Sequence, residues 1–177
     1  AFAGLGERRA ALAAVSRIER LAPDDGETAF ERARVRTLVE FYSGDFEAAE
    51  KEAREALLIA ERSERAYDKA WTLQHLGEIH VRQEDYPRAY GVLTRSVELS
   101  ESHGFERHAN HSRMFLAFLD GLTGDNQAER LLRQGIAFAS AEDFTEDTLN
   151  GHWLLASLFA RRGYDALAID ELEKAFS

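Results

Sequence analysis

Apolar and small side chains recur along this chain with helical spacing. Leu73, Leu76, Gly77 and His80 fall at i, i+3, i+4 and i+7, on one face of a helix. Tyr86, Ala89, Leu93 and Ser96 form the stripe of a second helix just beyond it. Gly77, Ala89 and Ser96 are small enough to let the two backbones approach closely. Between the stripes, Glu84-Asp85 supplies a turn and Asp85 a side-chain cap, as Asp45 and Asp125 do elsewhere. Pro87 falls in the first turn of the second helix, where its missing N–H costs little. Extended along the chain, the pattern predicts helices near 7–21, 28–43, 46–63, 65–83, 86–102, 106–122, 126–141, 146–162 and 164–176. Thr28-Ala29-Phe30-Glu31 reads as a capping box opening the helix at 28, and Gly104 as a C-cap.

The turns are periodic. Gly6, Gly44, Glu84, Gly124 and Gly163 each close one amphipathic stretch and open another, and they follow one another at a nearly constant interval. The words around them rhyme: Ser43-Gly44-Asp45-Phe46, Glu84-Asp85-Tyr86, Thr123-Gly124-Asp125-Asn126 and Arg162-Gly163-Tyr164-Asp165. A fixed period of about 40 residues means stacked copies of one supersecondary unit. Each unit reads as two antiparallel helices, A then B. Residues 1–23 hold a lone B helix, and 24–63, 64–104, 105–142 and 143–177 hold four helical hairpins.

At these residues the chain resembles the tetratricopeptide repeat family, with a period longer than that family's usual one. Leu73, Leu76, Gly77, His80, Tyr86, Ala89, Leu93 and Ser96 fill its large-and-small pattern in order. Leu155, Ala156, Phe159, Gly163, Ala168, Leu172 and Ala175 do so in the last unit, and Gly6, Ala11, Val15, Ile18 and Pro23 at the start. Two units depart. Around Gly44 the B stripe fits (Phe46, Ala49, Ala53, Ala56), but Val35, Leu38, Val39 and Tyr42 are out of register by about one residue. Around Gly124, Leu116 and Ala117 fit, yet Ala128, Leu132 and Gly135 require a turn shortened by one. The resemblance implies an all-α, right-handed superhelical solenoid of antiparallel helix hairpins.

Composition agrees. The 177 residues are 45% apolar, with only 12 Gly and 2 Pro, and strong helix formers dominate. Net charge is −10, and Arg8-Arg9 and Arg161-Arg162 are isolated pairs, so no basic stripe suited to nucleic acid is present. No apolar run approaches the roughly 20 residues that span a bilayer. Cys is absent, which removes disulfides and thiolate metal sites; a cytoplasmic location is the default expectation. The unpartnered helix at one end and Phe176-Ser177 at the other read as a fragment of a longer protein, or as ends that close by dimerising.

The chemistry is sparse. His108 and His111 lie at i, i+3, a spacing that can hold a transition metal, but a third ligand with a defined place is lacking. His80 reads as a satisfied core histidine. No nucleophile elbow or phosphate-cradling glycine loop occurs. The expectation is therefore no enzyme, no cofactor and no metal.

What remains is a surface. In the resembled family the A helices line a concave groove that takes an extended peptide or a helix. Carried over by position, the groove is Trp71, Gln74, Glu78 and Arg82, then His111, Met114, Phe118 and Leu122, then Trp153, Ser157 and Arg161. Trp71, Met114, Phe118, Leu122 and Trp153 make this stripe apolar, as interaction sites tend to be. The two Trp residues read equally well as inter-helix core. The expected partner is a protein or peptide. Repeats of this length also resemble those of bacterial transcriptional regulators and signalling ATPases, which implies a ligand- or protein-sensing module as the alternative. Self-assembly into a homodimer through open array ends is a third.

Overall fold

The computed structural model describes residues 26–175 together with Ala10, Ala13, Val15, Ser16 and Arg17. The lone helix expected at 7–21, with Gly6, Ala11, Ile18 and Pro23, lies largely outside the described residues, as do Phe176 and Ser177. Val15 is described, helical and buried. From residue 26 onward the chain forms α1 (Gly26–Tyr42), α2 (Phe46–Arg62), α3 (Ala66–Arg82), α4 (Tyr86–His103), α5 (Glu106–Leu122), α6 (Ala128–Ala141), α7 (Thr145–Arg161) and α8 (Asp165–Ala175). Among the described residues there is no strand. Nor is any helix among them long and apolar enough to cross a membrane.

The helices stop where the backbone turns left-handed. Gly44, Glu64, Glu84, Gly104, Gly124, Asp143 and Gly163 all have positive φ and are evenly spaced, two to each repeat. At six of these the following N–H reaches back five residues: Asp45 to Glu40, Asp85 to His80, Phe105 to Ser100, Asp125 to Asp120, Phe144 to Ala139 and Tyr164 to Phe159. These are Schellman closures, which satisfy helix-end carbonyls that would otherwise lack partners. The next helix is then capped. The Asp45 carboxylate accepts from the Ala48 N–H at 3.1 Å, and the Asp85 carboxylate from the Arg88 N–H at 3.2 Å. Three-residue links of this kind make consecutive helices antiparallel neighbours. Gly26 and Glu27 are already helical, so α1 includes residues ahead of the Thr28 at which the capping-box reading opens it.

The chain divides into two compact units, residues 1–92 and 93–177, with the boundary inside α4. In the first, α2 packs between α1 and α3. Its inner face is Ala49, Ala53, Ala56 and Ala60, all fully buried, so helices can approach it closely on either side. One core cluster joins Phe30, Ala33, Ala56, Ala60 and Trp71; another joins Ala49, Ala53, Leu76 and Ile79, with Phe41, Phe46 and Val92 against it. In α1 the buried stripe is Phe30, Ala33, Thr37 and Glu40. That corrects the register read from Val35 and Tyr42, both exposed (Tyr42 by 67%).

In the second unit α6 packs on α5 and on α7, α7 on α8, and α5 directly on α7. The core is Met114, Phe115, Leu132, Leu154, Leu155, Leu158 and Phe159. A Cβ at Gly151 would lie 2.4 Å from Ile136 Cγ1, and one at Gly121 would lie 2.8 Å from Ala128 Cβ, so glycine lets α6 and α7 close on each other and on α5. In α8, Ala168 is buried, whereas Leu172, read as its core partner, is 40% exposed.

Candidate functional site

The residues read as groove divide by burial. On α3, Trp71, Gln74 and Glu78 are buried and Arg82 is half-buried. Trp71 sits in the first unit's core: it stacks on His75 at 4.0 Å, meets Phe30 edge-on at 6.2 Å, and carries the Arg34 guanidinium over its ring at 5.6 Å. Arg82 donates to Glu78 Oε1 at 3.2 Å. On α5, His111, Met114 and Phe118 are interior, at 1–2% exposure, and Leu122 is half-buried. On α7, Trp153 and Ser157 are half-buried and Arg161 is exposed. Phe118 and Trp153 meet at 6.3 Å between ring centroids, so α5 and α7 bring two of these residues together.

Met114 and His111 turn inward for reasons visible in their contacts. A Cβ on Gly135 would fall 2.3 Å from Met114 Cγ and 2.7 Å from its sulfur: the thioether occupies the space that a side chain on α6 would fill. His111 Nδ1 lies 3.0 Å from Asp147 Oδ1, and its ring stacks on Phe115 at 4.8 Å. Asp147, on the first turn of α7, also accepts from Arg107 Nε at 2.7 Å. Burial alone would raise the Asp147 carboxyl, but the hydrogen bonds from His111 and Arg107 outweigh it and hold the group below its ordinary value. A comparable anchor holds the last helix. Glu171, fully buried on α8, pairs with His152 at 2.8 Å, Arg133 at 3.0 Å and Lys174 at 3.1 Å. Desolvation opposes its charge, yet those three partners keep its carboxyl low as well. His108 meets Phe105 edge-on at 6.4 Å. Among the described residues no group of three or more His, Asp or Glu is arranged to hold a metal.

The second unit also contains a cleft of about 740 Å³. One face of α5 forms its floor, with Glu106, Ala109, Asn110, Arg113, Ala117 and Asp120 at successive helical turns. Leu131, Gln134, Gly135 and Phe138 of α6 make one wall, and Ser100, Glu101 and Gly104 at the end of α4 the other. The cause lies in the turn before α6. α6 starts only at Ala128, because the Asp125 carboxylate accepts from Gln127 N–H two residues on (2.8 Å), an Asx turn rather than a helix cap. This B helix thus starts two residues later after its left-handed turn than α2 and α4 do, at Ala128 rather than at 126. The sequence reading asks for a turn shortened by one before Ala128, whereas the link is longer than the others, residues 123–127 against 43–45 and 83–85; the cleft-lining Asn110, Arg113, Asp120 and Phe138 carry no motif of their own.

Consecutive helix hairpins closed by left-handed turns, with small residues on the B helices and, in the second unit, one A helix packed directly on the next, define a helical-repeat protein. Residues 34–102 match the family model of the tetratricopeptide repeat. The match takes in most of α1, all of α2 and α3, and α4 as far as Ser102. No curated protein sequence matches the chain. Tetratricopeptide repeats are in general non-enzymatic scaffolds for protein–protein interaction.

Proposed function

We propose that this chain is a protein-interaction module that holds an extended or helical segment of a partner on the inner face of its A helices. The tetratricopeptide match over residues 34–102 carries this reading. In the second unit the accessible part of that face is the line Asn150, Trp153, Ser157 and Arg161 on α7, with Leu149 beside it and Leu122 at the end of α5. An indole backed by a buried phenyl ring, with an exposed arginine about 12 Å further along the same helix, offers aromatic and cationic anchors of the kind interfaces use. Phe118, Met114 and His111 support the line from beneath, and Arg82 is the accessible member of the set on α3. The partner segment would place an apolar side chain on Trp153 and a carboxylate near Arg161.

Selection of peptides from a random display library tests this. The selected peptides should share an apolar residue near an acidic one. Their affinity should fall about tenfold, or about 1.4 kcal/mol, against Trp153→Ala. Peptides that bind Trp153→Ala and Arg161→Ala as well as the parent would place the partner elsewhere. The cleft on α5 favours a second reading, ligand sensing.

A further inference from the structure

We propose that the cleft between α4, α5 and α6 binds an elongated organic amine, its apolar body lying along α5 and its ammonium group at Asp120. Shape narrows the occupant first. The floor runs along one helix from Glu106 to Asp120, a span of about 21 Å at roughly 1.5 Å per residue. A volume of about 740 Å³ spread over that length makes a long, narrow trough rather than a round pocket, which suits an elongated occupant.

The lining sets the polarity. Ala109, Leu116 and Ala117 below, with Leu131 and Phe138 beside them, present carbon along most of the length, as ligand clefts of this size usually do. The charged members are Glu101, Glu106, Asp120 and Arg113. Arg113 is ion-paired with Glu101, so Glu106 and Asp120 are left uncompensated within the cleft. Asp120 is half-buried on the last turn of α5, beside the Gly121 carbonyl that accepts from the Arg162 guanidinium at 3.1 Å. Burial, and then the neighbouring Asp125, push its carboxyl above the ordinary value, which an adjacent ammonium would reverse. The opposite wall supplies a second polar point. Ser100 lines the cleft, and its buried hydroxyl has no hydrogen-bond partner. An anion would meet repulsion at Asp120 and Glu106; a neutral chain would leave both unpaired.

Titration of n-octylamine, n-octanol and n-octanoate into the full chain, followed calorimetrically, tests the proposal. The amine should bind one to one and about tenfold or more tighter than either control. Asp120→Asn should erase that difference, with its melting transition retained. Ala117→Leu, which fills the floor, should abolish binding of the amine. The proposal is overturned if octylamine shows no saturable binding, if it binds no better than octanoate, or if neither substitution weakens it. Neither result bears on the peptide reading, since Trp153, Ser157 and Arg161 do not line the cleft.

Discussion

Helices α3 and α5 hold the same place in successive hairpins, one repeat apart, yet they meet their surroundings differently. α3 is buried all round from Ala70 to Val81, including Leu73, Leu76, Gly77 and His80. The equivalent positions of α5 are Arg113, Leu116, Ala117 and Asp120, and these line a cleft. His111, Met114, Phe115 and Phe118 stay buried like their α3 counterparts Trp71, Gln74, His75 and Glu78, so what α5 loses is cover over Arg113, Leu116 and Asp120. What separates the two is the helix that follows. α4 is capped by Asp85 and starts at Tyr86, whereas α6 starts two residues later than its counterpart, after the Asx turn at Asp125. A B helix that starts late cannot cover the whole face of its A helix, and a sealed core becomes an open trough. The lesson is mechanical: a late start after one turn can convert a packing position into a lining position without breaking the repeat.

The sharpest way to break this comparison is to charge the buried stripe. Phe118 is 2% exposed, so Phe118→Glu should cost about 4 kcal/mol or more and abolish cooperative melting of the second unit. Nearly unchanged helical content would return Phe118 to the groove and deny it a place in the core. Asp147→Asn should cost about 3 kcal/mol at pH 7, because it leaves buried His111 beside a neutral amide. The pH dependence has a definite sign. The Asp147 carboxyl is held below its unfolded value of about 3.9, so its contribution is present above that pH and lost as acid protonates it in the folded state. The parent should therefore lose stability faster than the variant on going below about pH 4, read as melting temperature against pH; parallel curves would deny the coupling.

A smaller pair of effects, opposite in sign, sharpens the same point. Gly135→Ala must displace Met114, whose Cγ would lie 2.3 Å from the new methyl group, and should cost about 1–3 kcal/mol. Gly91→Ala, on α4 with nothing within 4 Å, should stabilise by about 0.5–1 kcal/mol. Denaturant midpoints for the two variants decide. If they move the same way, the close approach of α6 to Met114 is not what fixes the α5 register.

Most of the fold was legible because helix periodicity and left-handed turns leave local marks. Predicted and observed helix ends from α2 to α8 agree within two residues, since Gly44, Gly104, Gly124 and Gly163 stand where the backbone needs them. The site was less legible. Burial around an A helix depends on what its neighbours cover, so Trp71 and Met114 look alike as groove or core until partners are placed. Val35 and Tyr42 misled for a related reason: α1 packs through the small and polar Ala33 and Thr37, which carry little periodic signal. Nothing in the sequence singles out Asp147 or Glu171, because all their basic partners except Lys174 are distant in sequence. A departure at Ala128 was visible, though as a shortened turn rather than a longer link, and the cleft is a property of three helices together.

The smallest expected effect concerns the turns common to both units. Glu64, Glu84 and Asp143 adopt φ of 55°, 59° and 56°, doing the work of the glycines at 44, 104, 124 and 163. A side chain there costs about 1–2 kcal/mol, against which glycine gives back about 0.5–1 kcal/mol in unfolded-chain entropy. Glu64→Gly and Glu84→Gly should thus each gain about 0.5–1 kcal/mol, roughly 1–4 °C in melting temperature. Asp143→Gly should gain less, because a short polar side chain tolerates this conformation better. Gains of that order in both units would show that their turns obey one rule, leaving the capping residue after the turn as the variable that opens the cleft. No gain at Glu84 would mean that its side-chain contacts offset the strain, and the even rhythm of left-handed turns would then rest on different forces at different corners.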